Sequence, residues 1–220
     1  MLKNVNYYFW ATYRRKSIDR ILKENIHFYN GFVLDIGGRK RGQFKEPMGK
    51  VKKWIYTDIN KKHKPDLVLD VSHMDTIKSE SVDVINAIEL FEHVKRIEDG
   101  LKECYRVLKN GGTIIICVPF LYPVHADPND FQRWTEDKWK NELVKVGFQI
   151  SKIVIMGRYF TVLMDMKKEL IKLLPFPIKH FFYLFYPLMD LAVKLDNSKW
   201  VKKNKRLMKY HSGYYIVANK

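Results

Sequence analysis

Between positions 31 and 120 the apolar residues of this chain alternate between two patterns, short β-branched runs and longer stretches at helical spacing. Phe32-Val33-Leu34-Asp35-Ile36 reads as a strand buried on both faces, and Trp54-Ile55-Tyr56-Thr57-Asp58 as a second. Leu67-Val68-Leu69 makes a short third, Val82-Asp83-Val84-Ile85 a fourth, and Thr113-Ile114-Ile115-Ile116-Cys117-Val118 a fifth. Leu101, Cys104, Tyr105 and Leu108 recur on one helical face, and Asn110-Gly111-Gly112 is expected to stop that helix. Strands alternating with helices predict parallel βαβ units in a doubly wound sheet. Thr135 starts a further helix that buries Trp139, Leu143 and Val146 and stops at Gly147. Phe148 to Met156 and Tyr214 to Ala218 supply two more strands, and residues 157–210 between them are too many for a hairpin loop.

Composition sharpens this picture only slightly. Hydrophobic residues at 46% and charged residues at 29% fit a folded globular chain of 220 residues, within reach of one domain. The net charge of +16 is uneven: residues 151–220 hold 14 Lys/Arg against 4 Asp/Glu, and residues 1–150 hold 26 against 20. Such a field favours anionic partners and says little about fold. Cys104 and Cys117 lie among apolar neighbours and outside any CxxC pattern. They are expected to be buried free thiols in a cytoplasmic protein, with no disulfide or metal framework. The opening MLKNVNYYFWATYRRK lacks the apolar core and cleavage site of a secretory signal.

The chemistry begins at Val33-Leu34-Asp35-Ile36-Gly37-Gly38-Arg39-Lys40-Arg41-Gly42. A strand that ends in an acid and runs into glycines lets the backbone turn sharply and approach a ligand closely. Asp58 ends the next strand, where an acid takes the ribose hydroxyls of an adenosine cofactor. Leu69-Asp70-Val71-Ser72-His73-Met74-Asp75 adds a further strand end and polar turn. A dehydrogenase is disfavoured, because Arg39 stands where the second glycine of G-x-G-x-x-G belongs.

Taken in order with Ser81-Val82-Asp83-Val84-Ile85, Leu90-Phe91-Glu92-His93-Val94 and Arg106-Val107-Leu108-Lys109-Asn110-Gly111-Gly112-Thr113, these residues resemble the class I S-adenosylmethionine (SAM)-dependent methyltransferases, type 11-like. The resemblance covers about residues 30–155 and extends to members that modify small molecules and glycans. It implies a Rossmann-like, seven-stranded, mostly parallel sheet with the last strand antiparallel. The single domain would span 1–220, with an N-terminal helical segment at 1–28 and a helical, aromatic insertion at 157–210. It also implies that Asp35, Gly37 and Gly38 line the methionine end of SAM, with Arg39 pairing its carboxylate. Asp58 and the adjoining Ile59 would hold the ribose, Asp70 and Val71 would meet the adenine, and Ala87 would complete the set. A vicinal diol and an exocyclic amine both call for acceptors, which these acids supply. The family pattern Asp-x-Gly-x-Gly-x-Gly is altered here, with Arg39-Lys40-Arg41 between Gly38 and Gly42.

A hydroxyl acceptor needs a base, expected at the C-terminal ends of the fourth and fifth strands. Glu89, Glu92 and His93 follow the fourth. The fifth leads into Pro119 to Thr135, which holds His125, Asp130, Arg133 and the aromatics Phe120, Tyr122, Phe131 and Trp134. This loop resembles a PxHxxPxDxxRxT segment of methyltransferases from surface-polysaccharide biosynthesis clusters. His125 is the expected general base, with Asp130 orienting it or holding the acceptor, and His93 is the second choice. Asp130 and Arg133 also have the spacing to pair on one turn. Tyr122, Arg133 and Trp134 are the expected substrate contacts, since aromatic faces and a guanidinium suit a sugar or a phosphate. No cluster has ligand spacing along the chain, so no metal is expected.

The uncharged aromatic run at 170–190 is too short to span a bilayer. It reads either as a cap over the acceptor pocket or as a segment lying peripherally on a membrane, helped by its basic flanks. The expected activity is methyl transfer to an oxygen, or less often a nitrogen, of a sugar, a lipid-linked glycan or another small molecule. The rivals are an RNA methyltransferase that uses Lys199 to Lys209 on phosphates, and a non-catalytic protein that keeps the fold for binding.

Overall fold

Val33 to Ile36 are all buried, as a strand must be when helices cover both faces of its sheet. The computed structural model describes residues 2–38, 43–125 and 128–220. Helices α1 (Leu2–Trp10) and α2 (Tyr13–Glu24) precede strands β1 (Gly31–Ile36), β2 (Val51–Asp58), β3 (Leu67–Val68) and β4 (Val82–Ile88). Helix α3 (Ile97–Val107), strand β5 (Leu108–Pro119), helix α4 (Glu136–Val146) and strand β6 (Gln149–Met156) follow. Four helices, α5 (Tyr159–Leu173), α6 (Ile178–Tyr183), α7 (Tyr186–Lys194) and α8 (Lys199–Lys203), then lead to β7 (Gly213–Asn219).

The seven strands lie in the order β3-β2-β1-β4-β5-β7-β6. β1 to β5 pair in parallel, and β7 runs antiparallel between β5 and β6. The expected sheet, mostly parallel with its last strand reversed, is the one observed. From β1 the chain builds outward to β2 and β3, then crosses to β4 on the other side. That reversal opens a crevice at the C-terminal ends of β1 and β4, the place where ligands enter open α/β sheets.

Side chains alternate across the sheet with period two. Leu34 and Ile85 pack with Leu101, Cys104, Trp139 and Leu143 of α3 and α4. Their neighbours Val33 and Val84 pack with Ile18 and Leu22 of α2 on the opposite face. A separate cluster of Tyr13, Met164, Ile171, Tyr186 and Met189 joins α2 to α5 and α7. Carboxylates fasten this third cluster. Asp165 accepts the backbone N–H of Tyr13 at 2.5 Å and of Arg14 at 2.9 Å, capping α2 from α5. Asp196 does the same for α5, accepting from Arg158, Phe160 and Thr161 at 2.9 Å each.

One expected boundary moves. α3 ends at Val107 rather than at Asn110-Gly111-Gly112, and the glycines lie inside β5. The register against β4 jumps from Val82–Leu108 to Val84–Thr113, so residues 109–112 bulge out of that ladder. Gly111, at φ 78°, donates to the Lys220 carbonyl, and the Lys220 N–H returns to Gly112. The glycines therefore serve the end of β7, not a helix terminus.

Candidate active site

The crevice starts where β1 runs out. Gly37 sits at φ 68°, and a Cβ there would come within 2.9 Å of Leu90. A Cβ on Gly38 would lie 2.4 Å from the Asp35 carboxyl carbon. Both glycines are therefore demanded by their neighbours as well as by the turn. Asp35 is itself held from behind: its carboxylate accepts from Asn86 Nδ2 at 2.8 Å and Trp54 Nε1 at 3.1 Å. The Tyr29 hydroxyl donates to Asn86 Oδ1 at 2.7 Å, which fixes that amide's orientation. Burial pushes the Asp35 carboxyl up to about 7 although both donors oppose the shift.

A cavity of about 430 Å³ lies at the ends of β1, β2 and β4, and Gly37, Asp58, Ile59, Asp70, Leu90 and His93 are among the residues that line it. Asp35 and Gly38 line a separate hollow of about 60 Å³ behind Gly37. Asp58 Oδ1 accepts the Asn60 N–H at 2.8 Å, and Asp58 Oδ2 lies 2.8 Å from His63 Nδ1. The carboxylate is thereby fixed in the cavity wall. Asp70 Oδ1 accepts the Ser72 N–H at 2.8 Å in the next turn. Ala87 does not belong to this wall: it is fully buried in the core that faces α3 and α4. Arg39 and Gly42 lie outside the described residues.

The far end of the crevice is built from the 3-10 turn Phe91–His93 and the loop after β5. Glu89, at φ 57°, is turned back to Arg14 of α2, whose guanidinium grips both its oxygens. Burial alone would raise the Glu89 carboxyl, but the Arg14 charge and hydrogen bonds outweigh it and hold the group low. Arg14 also donates to the Ser212 carbonyl and lies 5.0 Å from the centre of the Tyr122 ring. Glu89 is thus a structural anion and not a base.

Glu92 differs. It is 2% exposed, and neither carboxylate oxygen has a hydrogen-bond partner among the described residues. Burial raises its pKa, and the neighbouring Glu89 charge adds to the shift. His93 Nδ1 lies 2.6 Å from the Asn129 carbonyl oxygen, and a carbonyl only accepts, so Nδ1 carries a proton and Nε2 is the acceptor atom of the neutral ring. His125 repeats this arrangement, with Nδ1 at 3.2 Å from the Pro123 carbonyl and 3.3 Å from Asp130. Asp130 also accepts the His125 backbone N–H at 3.0 Å. Both Nε2 atoms stand 3.9 Å from Glu92 Oε1, with the two imidazole rings 5.1 Å apart.

The structure thus brings His93, His125 and Asp130 together and adds Glu92 at their centre. Arg133 is spent on Asp130, which it grips with both terminal nitrogens and holds down at about 2. It is therefore not available to a phosphate. Trp134 is a second correction. It is buried against Trp139 in the core, and its Nε1 donates to Gln132 at 2.7 Å. Tyr122 sits edge-on to His125 at 5.4 Å. Sequence reasoning missed His63 and Arg14. Asn60 and His63 had a local signal, an Asx-type turn just past an acidic strand end. Arg14 had none, being 75 residues from its partner.

Residues 50–116, from β2 to most of β5, match a family model described as a methyltransferase domain. No curated protein matches the chain. Among solved structures it is similar to a SAM-dependent methyltransferase from Archaeoglobus fulgidus, at 19% identity and TM-score 0.57 over 100% of both chains. It is also similar to the O-methyltransferase of a trans-AT PKS multienzyme from Brevibacillus brevis in complex with S-adenosylhomocysteine. That match has 17% identity and TM-score 0.55 over 94% of this chain and 71% of that one. A phosphoethanolamine N-methyltransferase from Haemonchus contortus, in complex with SAM, matches at 12% identity and TM-score 0.54 over 92% and 52%. At these identities the likeness is one of fold. The family match covers β2 to most of β5, and over those residues the chain is similar to a methyltransferase domain.

Proposed function

We propose that this chain is a class I SAM-dependent methyltransferase that alkylates a hydroxyl oxygen of a polar, sugar-like acceptor, free or carried on a lipid. The observation that carries the reading is the convergence of Glu92, His93 and His125, with His93 lining the same cavity as Asp58. A hydroxyl needs to shed its proton as it is alkylated, whereas a neutral amine needs only its lone pair. Two imidazoles gathered at the acceptor end suit the first.

The residues present fit SAM. The cavity is within the size range of small-molecule sites, its lining includes the carboxylates of Asp58 and Asp70, and the glycine turn leaves backbone open to a ligand. Asp58, braced by His63 and Asn60, holds the ribose diol, with Ile59 beside it. Asp70 and the Val71 backbone meet the adenine, and Gly37 receives the amino-acid end. SAM, when bound, supplies an electrophilic methyl group on a sulfonium. In the metal-free protein His125 takes the acceptor proton at Nε2. Asp130 holds its Nδ1–H side and Tyr122 packs against its ring. His93 is the neighbouring base.

A lipid-carried acceptor is favoured by a separate feature. Leu170, Leu173, Phe176, Phe181, Leu184 and Leu188 are each more than half exposed, on a stretch where basic residues outnumber acids. No helix among the described residues is long and apolar enough to cross a membrane, so a contact of this kind lies along the surface.

The test is transfer of labelled methyl from SAM to pooled glycan, glycolipid and RNA fractions. Label is expected in a glycan or glycolipid ether, with His125→Ala losing about two orders of magnitude in kcat. Label confined to RNA or to an amine would overturn the proposal.

A further inference from the structure

We infer that Glu92, His93 and His125 bind one divalent transition-metal ion at the acceptor end of the crevice. One donor atom from each lies within 4.8 Å of the other two. Each imidazole has its Nδ1 on a backbone carbonyl oxygen, which leaves its Nε2 toward Glu92, and neither Glu92 carboxyl oxygen has a hydrogen-bond partner among the described residues. The nearby guanidinium groups are already taken, Arg14 by Glu89 and Arg133 by Asp130. A buried carboxylate faced by two bare nitrogens is a poor arrangement for a protein alone and a good one for a cation.

The ligand set selects the kind of ion. Two imidazoles and one carboxylate suit zinc and its first-row neighbours, whereas magnesium and calcium want oxygen. Zinc bonds of about 2.0–2.2 Å place two donors on one ion roughly 3–4 Å apart. The 3.9 Å separations to Glu92 Oε1 therefore need little closing. The Asn129 carbonyl behind His93, and Asp130 with the Pro123 carbonyl behind His125, are the supports that fix ring orientation in protein metal sites. Three protein ligands leave a coordination position open, and His93 lies in the cavity wall, so that position faces the crevice. An acceptor hydroxyl bound there would be acidified by the ion, with His125 serving as ligand instead of base. That role rests on the proposed O-methylation, but metal binding itself does not. The expectation that no metal is needed came from spacing along the chain. The fold assembles the set from a turn after β4 and a loop after β5.

The test uses the full chain, stripped with a chelator and titrated calorimetrically with Zn²⁺, then with Co²⁺ as a visible-absorption probe. One ion per chain is expected, and Zn²⁺ should raise the Tm. Glu92→Gln and His125→Ala should each weaken binding at least about tenfold, while His27→Ala, on the surface, should not. His125 is in an exposed loop, so its variant reports even if Glu92→Gln folds poorly. Absence of binding, or binding that neither variant weakens, would overturn the inference. Metal binding without methyl transfer to any hydroxyl would uphold it and refute the O-methylation reading. Equal O-methylation before and after chelation would remove the ion's catalytic role.

Discussion

Asp35 shows how much of the site a single residue organises. Its carboxyl leaves no room for a Cβ on Gly38, so Gly38→Ala is expected to displace the turn. SAM binding should then weaken by about tenfold or more, measured by calorimetry on a variant that still melts cooperatively. The same carboxyl gives stability a pH signature. Its folded pKa, about 7, lies above the ordinary value of 3.8, so between these the native state binds more protons than the unfolded one. Stability from this group is present below about pH 4 and is lost as pH rises toward 7. Urea melts at pH 5 and pH 8 should therefore show a smaller drop for Asp35→Asn than for the parent, by on the order of 2 kcal/mol. An equal drop in both would contradict that assignment. The acids at 35, 58 and 70 stand out in the sequence because each lies at or just past an apolar run and before a turn, which are local facts. Ala87 and Trp134 misled because being adjacent in sequence to a site does not tell which way a side chain points.

At the scale of elements, the strands were readable from their continuous apolar runs, but the fastenings between elements were not. Helix α2 has a local cap in Thr12, but Asp165 and Asp196, more than thirty residues away in the chain, accept the further free N–H groups at the starts of α2 and α5. No local capping rule finds such partners. Asp196→Ala removes the acceptor of three N–H groups at the start of α5 and is expected to cost about 1–3 kcal/mol in urea unfolding. The Arg14–Glu89 pair ties α2 to the end of β4 beside the site. Arg14→Met leaves a buried carboxylate unpaired and should cost about 3–5 kcal/mol. A double variant with Glu89→Gln should recover part of that loss. If the two substitutions simply add, the pair is not the tether described here. The boundary of α3 was misread because Gly111 and Gly112 look like a helix stop, and only the returning β7 reveals their use.

The whole molecule has a polarity that no single element shows. The crevice opens at the carboxyl ends of β1 and β4, while positive charge and exposed aromatic and aliphatic side chains gather in residues 151–220. This distribution predicts co-sedimentation with anionic vesicles that falls as salt rises, and reduction by about tenfold on Phe181→Ser with Leu184→Ser. Equal pelleting of the variant would remove the membrane contact and leave the proposed methyl transfer untouched. The central claim is the nucleoside pocket, and calorimetric titration of the purified chain with SAM tests it most directly. The account predicts one site per chain, weakened about 10- to 100-fold by Asp58→Ala through loss of a charge-assisted hydrogen-bond acceptor. A chain that takes up no SAM, or that binds it equally well without the Asp58 carboxylate, would contradict it.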